Sequence, residues 1–209
     1  VSHGTAAPRA RAASIDILEK EIASEFPDRE VRRAFTSAHV RARIVAVEGL
    51  KIDSTEDALQ KLIDEGFVEV WIQPTHVIPG DEYGSILDSI QPFRRSGHFG
   101  SLKLGRPLLY YDGKTPSQPD DYRMAVEALR TQLPKQNGKV LLLGHGTGHE
   151  ADNCYDLLQT RIEELNLPMF IATMEGSRTF AAASEWLEKT GARQVTLMPF
   201  MLVAGGHVL

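Results

Sequence analysis

The sequence predicts an α/β fold: two similar halves, each a parallel sheet flanked by helices, facing each other across a cleft. Three observations predict it. Apolar runs of strand length alternate with longer amphipathic stretches, the pattern of parallel strands joined by crossover helices. A glycine-flanked motif recurs, since Val1-Ser2-His3-Gly4-Thr5 and Leu143-Gly144-His145-Gly146-Thr147 each close an apolar run and lead into a helical stretch. A second motif recurs in the same order, each time a strand followed by a proline and a glycine at matched spacing. It reads Ile72-Gln73-Pro74-Thr75-His76-Val77-Ile78-Pro79-Gly80-Asp81-Glu82 early and Leu197-Met198-Pro199-Phe200-Met201-Leu202-Val203-Ala204-Gly205-Gly206-His207 late, so Gly80 aligns with Gly205 and Glu82 with His207.

Taken in order, Val1 is the tail of a first strand, and a helix is expected near residues 10–25. A strand is expected at Glu30–Phe35 and a helix at 38–48. Ser54 with Asp57 resembles a capping box and opens a helix over 55–65. Val68–Ile72 reads as a strand, 83–95 as a helix and Leu102–Leu104 as a strand. Residues 112–120 (DGKTPSQPD) are rich in Gly, Pro and Ser, and place the division between halves at 1–118 and 119–209. The second half then runs helix 119–133, strand Val140–Leu143, helix 151–165, strand Met169–Ala172, helix 178–189 and strand Gln194–Met198.

Composition narrows the function. The 209 residues are 42% hydrophobic and 24% charged, as in a domain with a real core, and the formal charge of −5 argues against a nucleic-acid binder. A local basic patch for an acidic small molecule remains compatible with that charge. The single cysteine, Cys154, excludes an intrachain disulfide and a cysteine-based metal site, which fits a reducing compartment such as the cytoplasm. No apolar run approaches the roughly 18 residues a membrane span needs. The chain opens on Val1 at a strand end and stops in mid-motif at Leu209, so it is expected to be a piece of a longer protein. A leader lost from the front would leave a periplasmic location open.

Chemistry is expected at strand carboxyl ends, where open α/β sheets bind ligands. His145 lies in a glycine-flanked turn before a helix, whose N-terminus favours a neutral ring able to bind a metal or accept a proton. Capping of the helix is the competing reading. His207 and Glu82 each follow a strand and a glycine, and Glu175 follows the strand ending at Ala172. Singly each would be a solvated loop residue. Together the imidazoles and carboxylates form a mixed donor set suited to a borderline divalent ion. His3 is the repeat mate of His145, and Gly4, Thr5, Gly80, Gly146 and Thr147 are expected to offer backbone or hydroxyl hydrogen bonds to ligand carboxylates. His76 divides evenly between lining the cleft and packing. His149 follows His145 too closely across glycines for a shared helix face, and His39 and His98 read as surface residues. Arg9, Arg11, Arg94 and Arg95 are candidate carboxylate binders, though helical Arg is more often solvated. The Gly144–Gly148 run lacks the Lys-Ser/Thr of a phosphate loop and the dinucleotide spacing.

These runs carry a resemblance. Arg33-Ala34-Phe35-Thr36-Ser37, Gly80-Asp81-Glu82-Tyr83, Leu143–Thr147 and Met198–Gly205 together resemble the sirohydrochlorin cobaltochelatases of anaerobic cobalamin biosynthesis, class II tetrapyrrole chelatases, in family order along nearly the whole chain. The resemblance implies insertion of a divalent metal, cobalt first and iron or nickel as alternatives, into sirohydrochlorin. It implies a catalytic set of His145, Glu82 and His207, metal ligands His145, Glu175 and His207, and no cofactor beyond the substrate ion. It also implies homo-oligomer formation. The chain departs from the family pattern at His3, which stands in a Phe place, at Gly84 in place of a second Glu, and at Gly206 in place of an Asp. A metal or tetrapyrrole carrier that releases unchanged cargo, and a two-lobed binding protein, are the non-enzymatic rivals.

Overall fold

The alternation read from the sequence is realised along the chain in a computed structural model, which describes residues 1–133 and 138–203. Its elements are α1 (Pro8–Ala13), α2 (Ile15–Glu25), α3 (Ala38–Glu48), α4 (Thr55–Asp64), β1 (Glu69–Ile72), α5 (Asp81–Ser96), β2 (Ser101–Leu104) and α6 (Asp121–Arg130). There follow β3 (Lys139–Gly144), α7 (Asn153–Glu164), β4 (Met169–Thr173), α8 (Phe180–Lys189) and β5 (Val195–Pro199). No helix among the described residues is long and apolar enough to cross a membrane.

By packing, the chain divides into two units. The first holds Val1–His76, Asp81–Pro107 and, of the described C-terminal residues, Leu202 and Val203; the second holds Val77–Gly80 and Leu108–Met201. The sequence boundary rests on composition and this one on packing.

In the first unit all pairing is parallel. Ser2 bridges Phe35, Ala34 bridges Asp53, Thr75 N–H donates to Val1 O at 2.9 Å, and β1 runs beside β2 from Glu69↔Ser101 to Ile72↔Leu104. Chain order therefore goes outward from Val1–Ser2 to 34–35 and then 53, and returns to the other side for β1 and β2. Helices consequently cover both faces: Ile15, Phe35 and Ile44 form one core, while Leu59, Val70, Ile72, Ile86, Ile90 and Phe99 form another. Two expectations change here. The strand expected over Glu30–Phe35 pairs only at Ala34 and Phe35, because Arg32 and Arg33 are drawn into ion pairs with Glu30, Glu65, Asp16 and Glu19. The helix expected over 10–25 breaks at Ser14, whose hydroxyl donates to Ala10 O at 2.7 Å and competes with the helical pattern. The capping box is present, with Asp57 N–H donating to Ser54 Oγ at 3.0 Å and Ser54 N–H to Asp57 Oδ2 at 3.3 Å.

In the second unit three parallel strands lie in the order β4-β3-β5. Side chains alternate across a strand, and here the alternation sorts two cores. Val140, Leu142, Met169 and Ile171 face α6 and α7 through Val126, Tyr155, Leu158 and Ile162. Leu141, Phe170 and Ala172 face α8 through Ala183 and Trp186. The crossovers to β4 and then β5 thus run over opposite faces, and the carboxyl ends of β3 and β5 flank a topological switch point. Within the first of these cores the Tyr122 hydroxyl donates to Cys154 Sγ at 3.1 Å, and burial raises the thiol's pKa.

Candidate functional site

Each unit carries candidate groups at its own switch point. In the first unit that point lies between Val1–Ser2 and β1, so His3 leaves one strand and Thr75–His76 the other. Gly4 makes the turn after His3 with φ +91°, and an added Cβ would fall 2.4 Å from Phe35 Cδ2, so only glycine fits against that buried ring. Glu82 stands in the first turn of α5, where the helix dipole favours a carboxylate.

These residues converge on Glu82. His3 Nδ1 lies 3.1 Å from Oε1, Thr36 donates its hydroxyl to Oε2, and His76 Nε2 is 4.0 Å from Oε2. Arg41 fixes the strand end that carries Thr36, donating to Phe35 O at 2.5 Å and Thr36 O at 2.9 Å. The His3 hydrogen bond foremost, against some burial, holds the Glu82 carboxyl down to about 2, and raises His3 above its ordinary value. His76 moves the other way. Its side chain is only 10% exposed, and burial pushes it down to about 4, so the ring is neutral at physiological pH. Among the described residues neither His76 ring nitrogen has a hydrogen-bond partner. An anionic carboxylate beside neutral imidazole favours a cation or a hydrogen-bond donor over a second anion.

In the second unit β3 ends at Gly144 and delivers His145 to solvent. His145 Nδ1 is 3.0 Å from Gly146 O, a carbonyl that can only accept, so the Nδ1 proton points at it. Gly146 takes φ +77°, and a Cβ there would lie 1.7 Å from Glu175 O. The loop after β4 therefore presses on the loop after β3. Glu175 N–H donates to His145 O at 2.8 Å and Met174 N–H to Gly144 O at 3.2 Å. Asp152 joins the same place, accepting from Thr147 N–H at 3.1 Å, Ser177 N–H at 2.7 Å and Ser177 Oγ at 2.8 Å.

The structure thus brings His145, Gly146, Thr147 and Glu175 together in one unit, and His3, Gly4 and Glu82 in the other. Gly80 immediately precedes α5. His207 lies outside the described residues. Among the described residues no group of three or more His, Cys, Asp or Glu side chains is arranged to hold a metal ion. Several candidates take structural roles. The Thr5 hydroxyl accepts from Ala7 N–H at 3.2 Å, and the Thr147 hydroxyl accepts from His149 N–H at 3.1 Å. His149 Nδ1 accepts from Ala151 N–H at 3.0 Å and caps the 3-10 turn Glu150–Asp152. Arg11 is buried and paired with Glu48, its NH1 also donating to Thr5 O at 3.3 Å, so it is a poor candidate for holding a ligand. Arg9, Arg94, Arg95, His39 and His98 are exposed. Sequence reasoning missed Thr36, Arg41 and Asp152. Thr36 sits in a run that carried the family resemblance, and that was its only signal. Arg41 reads as one more charged residue on a helix, and Asp152 as an ordinary helix-start aspartate.

The chain was compared with known proteins. A family model described as cobalt chelatase (CbiK) matches residues 1–209. The sirohydrochlorin cobaltochelatase of Salmonella typhimurium is 36% identical over 211 residues, which cover 100% of this chain and 76% of that protein. The sirohydrochlorin cobaltochelatase CbiKC of Nitratidesulfovibrio vulgaris is 34% identical over 198 residues, covering 93% of this chain and 67% of that protein. Among solved structures, SirB from Bacillus subtilis with Fe3+ matches with a TM-score of 0.63 at 14% identity, covering 100% of this chain and 77% of that one. At that identity the likeness speaks for the fold alone.

Proposed function

The chain belongs to the cobalt chelatase (CbiK) family, and from that premise we propose how its residues perform the reaction. The reaction is insertion of a divalent metal ion, Co2+, into sirohydrochlorin in cobalamin biosynthesis. The bond balance is simple: two pyrrole N–H protons leave the macrocycle and one metal ion enters. No electron moves, so the proposal needs no cofactor beyond the substrate ion.

The observation that carries the residue roles is the contact of His145 Nδ1 with Gly146 O. With Nδ1–H directed at that carbonyl, Nε2 is the ring nitrogen proposed to exchange an ion and a proton. A nitrogen that holds the ion cannot also hold a proton, so the two roles follow one another. His145 presents the ion, and as the ion passes to the ring the freed Nε2 accepts one pyrrole proton. Glu175 is proposed as a carboxylate ligand from the neighbouring loop, with His207 the remaining ligand on the family pattern. The second proton goes to a carboxylate or to water. Glu82 is a weak base with its carboxyl near 2, so within its own unit it is proposed as a negative charge rather than a proton acceptor. Backbone N–H groups around Gly146, in the same unit as His145, suit carboxylates of the macrocycle, and holding ring and ion together supplies proximity. Action in the cytoplasm and assembly of further copies belong to the same proposal.

Anaerobic insertion assays with Co2+, Fe2+ and Ni2+, read by the absorbance change of sirohydrochlorin against a no-enzyme blank, test this. Multiple turnovers with Co2+ are expected, falling by roughly 100-fold or more in His145→Ala. A folded protein that never exceeds the blank would overturn the catalytic reading and leave a metal or tetrapyrrole carrier.

A further inference from the structure

We propose that Asp152 is a positioning residue for metal insertion: its buried carboxylate holds the His145 loop and the Glu175 loop in register with each other. The inference rests on the chelatase reading for its meaning, and on the geometry of the second unit for its argument.

Asp152 stands immediately before α7, at the position where an aspartate ordinarily accepts a hydrogen bond from the first turn of its own helix. It makes no such cap. Instead the side chain turns away from α7 and divides its oxygens between two loops: Oδ1 accepts from Thr147 N–H, Oδ2 from the N–H and hydroxyl of Ser177. All three donors are neutral, so the side chain of this residue, only 8% exposed, is met by oriented dipoles. Removing it would leave two part-buried N–H groups without this acceptor.

What it joins is specific. One loop carries His145 two residues before Thr147, and the other carries Glu175 two residues before Ser177. The main chains already touch, through Glu175 N–H to His145 O and the contact that admits only glycine at 146. Gly176 is constrained too, since it takes φ +91° and a Cβ there would run into the Asp152 carboxyl group. Asp152 itself is anchored to the body of the unit, because α7 packs Tyr155, Leu158 and Ile162 into the core. Both loops are therefore referred to one rigid helix. Ion ligands carried on loops gain their geometry from such support, and its removal typically lowers metal affinity about 10- to 100-fold.

The test uses the full chain and reads Co2+ affinity by titration calorimetry, insertion kinetics with Co2+ and sirohydrochlorin varied separately, and thermal unfolding. Asp152→Asn is expected to weaken Co2+ binding and raise the KM for Co2+ by about 10- to 100-fold, with the KM for sirohydrochlorin changed far less. Ser177→Ala, which removes one of the three bonds, should give a smaller change in the same direction, and it serves if Asp152→Asn does not fold. Gln159→Met is the control for stability alone, since it removes the bond from Ile171 N–H to Gln159 Oε1 at 3.0 Å, which joins α7 to β4 and involves neither Asp152 nor its three donors. It should lower the melting temperature while leaving Co2+ affinity within about 2-fold. Co2+ affinity and KM in Asp152→Asn equal to wild type would overturn the proposal, as would parallel losses in Gln159→Met. The binding titration stands without turnover: a wild type that binds Co2+ but inserts none would sink the chelatase reading, and the clamp would still be decided by the affinities.

Discussion

Glu82 takes its neighbours from positions 3, 36 and 76, and the opposite fates of its two histidines make a pH experiment informative. His76 is buried neutral, with its folded pKa lowered to about 4. The unfolded chain takes up that proton from about pH 6.5 downward, so stability is lost as pH falls from 6.5 toward 4. The total is about 3 kcal/mol. Within the His3–Glu82 pair only His3 works the other way. Glu82 stabilises above the unfolded carboxylate value and loses this as pH falls toward 2; His3 stabilises below its unfolded value and loses this as pH rises through its raised folded value. Both side chains are about half exposed, so screening limits the pair to about 1 kcal/mol or less, and His76 wins. Denaturant unfolding from pH 7 to pH 4.5 should show a marked fall in wild type and a much shallower one in His76→Phe. Equal slopes would refute the assignment. The sequence left His76 divided between lining and packing, because burial is not written in a single residue. Asp152 was invisible for a related reason: a helix-start aspartate looks the same whether it caps its helix or turns away to hold two loops.

Elements were more legible than residues. The Ser54–Asp57 capping box located α4 closely, since that signal is local, and the bounds expected for α3 also agree. The failures arose where a local pattern met a competing bond. Ser14 interrupts a continuous apolar stripe, and the β-favouring end of Glu30–Phe35 is preceded by arginines with ion-pair partners elsewhere. Two substitutions test the elements. Ser54→Ala should cost about 1 kcal/mol in urea unfolding by deleting the α4 cap. Gly146→Ala should cost more than about 2 kcal/mol, because it combines a left-handed φ with a collision against backbone rather than against a movable side chain. A Gly146→Ala protein as stable as wild type would mean that the two loops are not in contact.

At the scale of the molecule, alternation announced parallel sheets, but strand order is a long-range outcome that no local run encodes. The repeat was the better guide. It matched His3 with His145, and each histidine does follow the innermost strand at a switch point of its own unit. Because each unit has its own core, Ile86→Ala and Ile171→Ala should each destabilise by about 2–5 kcal/mol. Hydrogen exchange should show the loss of protection concentrated in the unit that carries the change. Cys154 adds a consequence of its own. It is the chain's single thiol, covered by the second unit's core and held by the Tyr122 hydroxyl. A thiol reagent cannot reach it until that core opens, so the labelling rate under native conditions is a clock for opening of one unit, with no background from a second site. An ion seated on the His145 and Glu175 loops would slow that clock, and the slowing measures occupancy without any chromophore in the ligand.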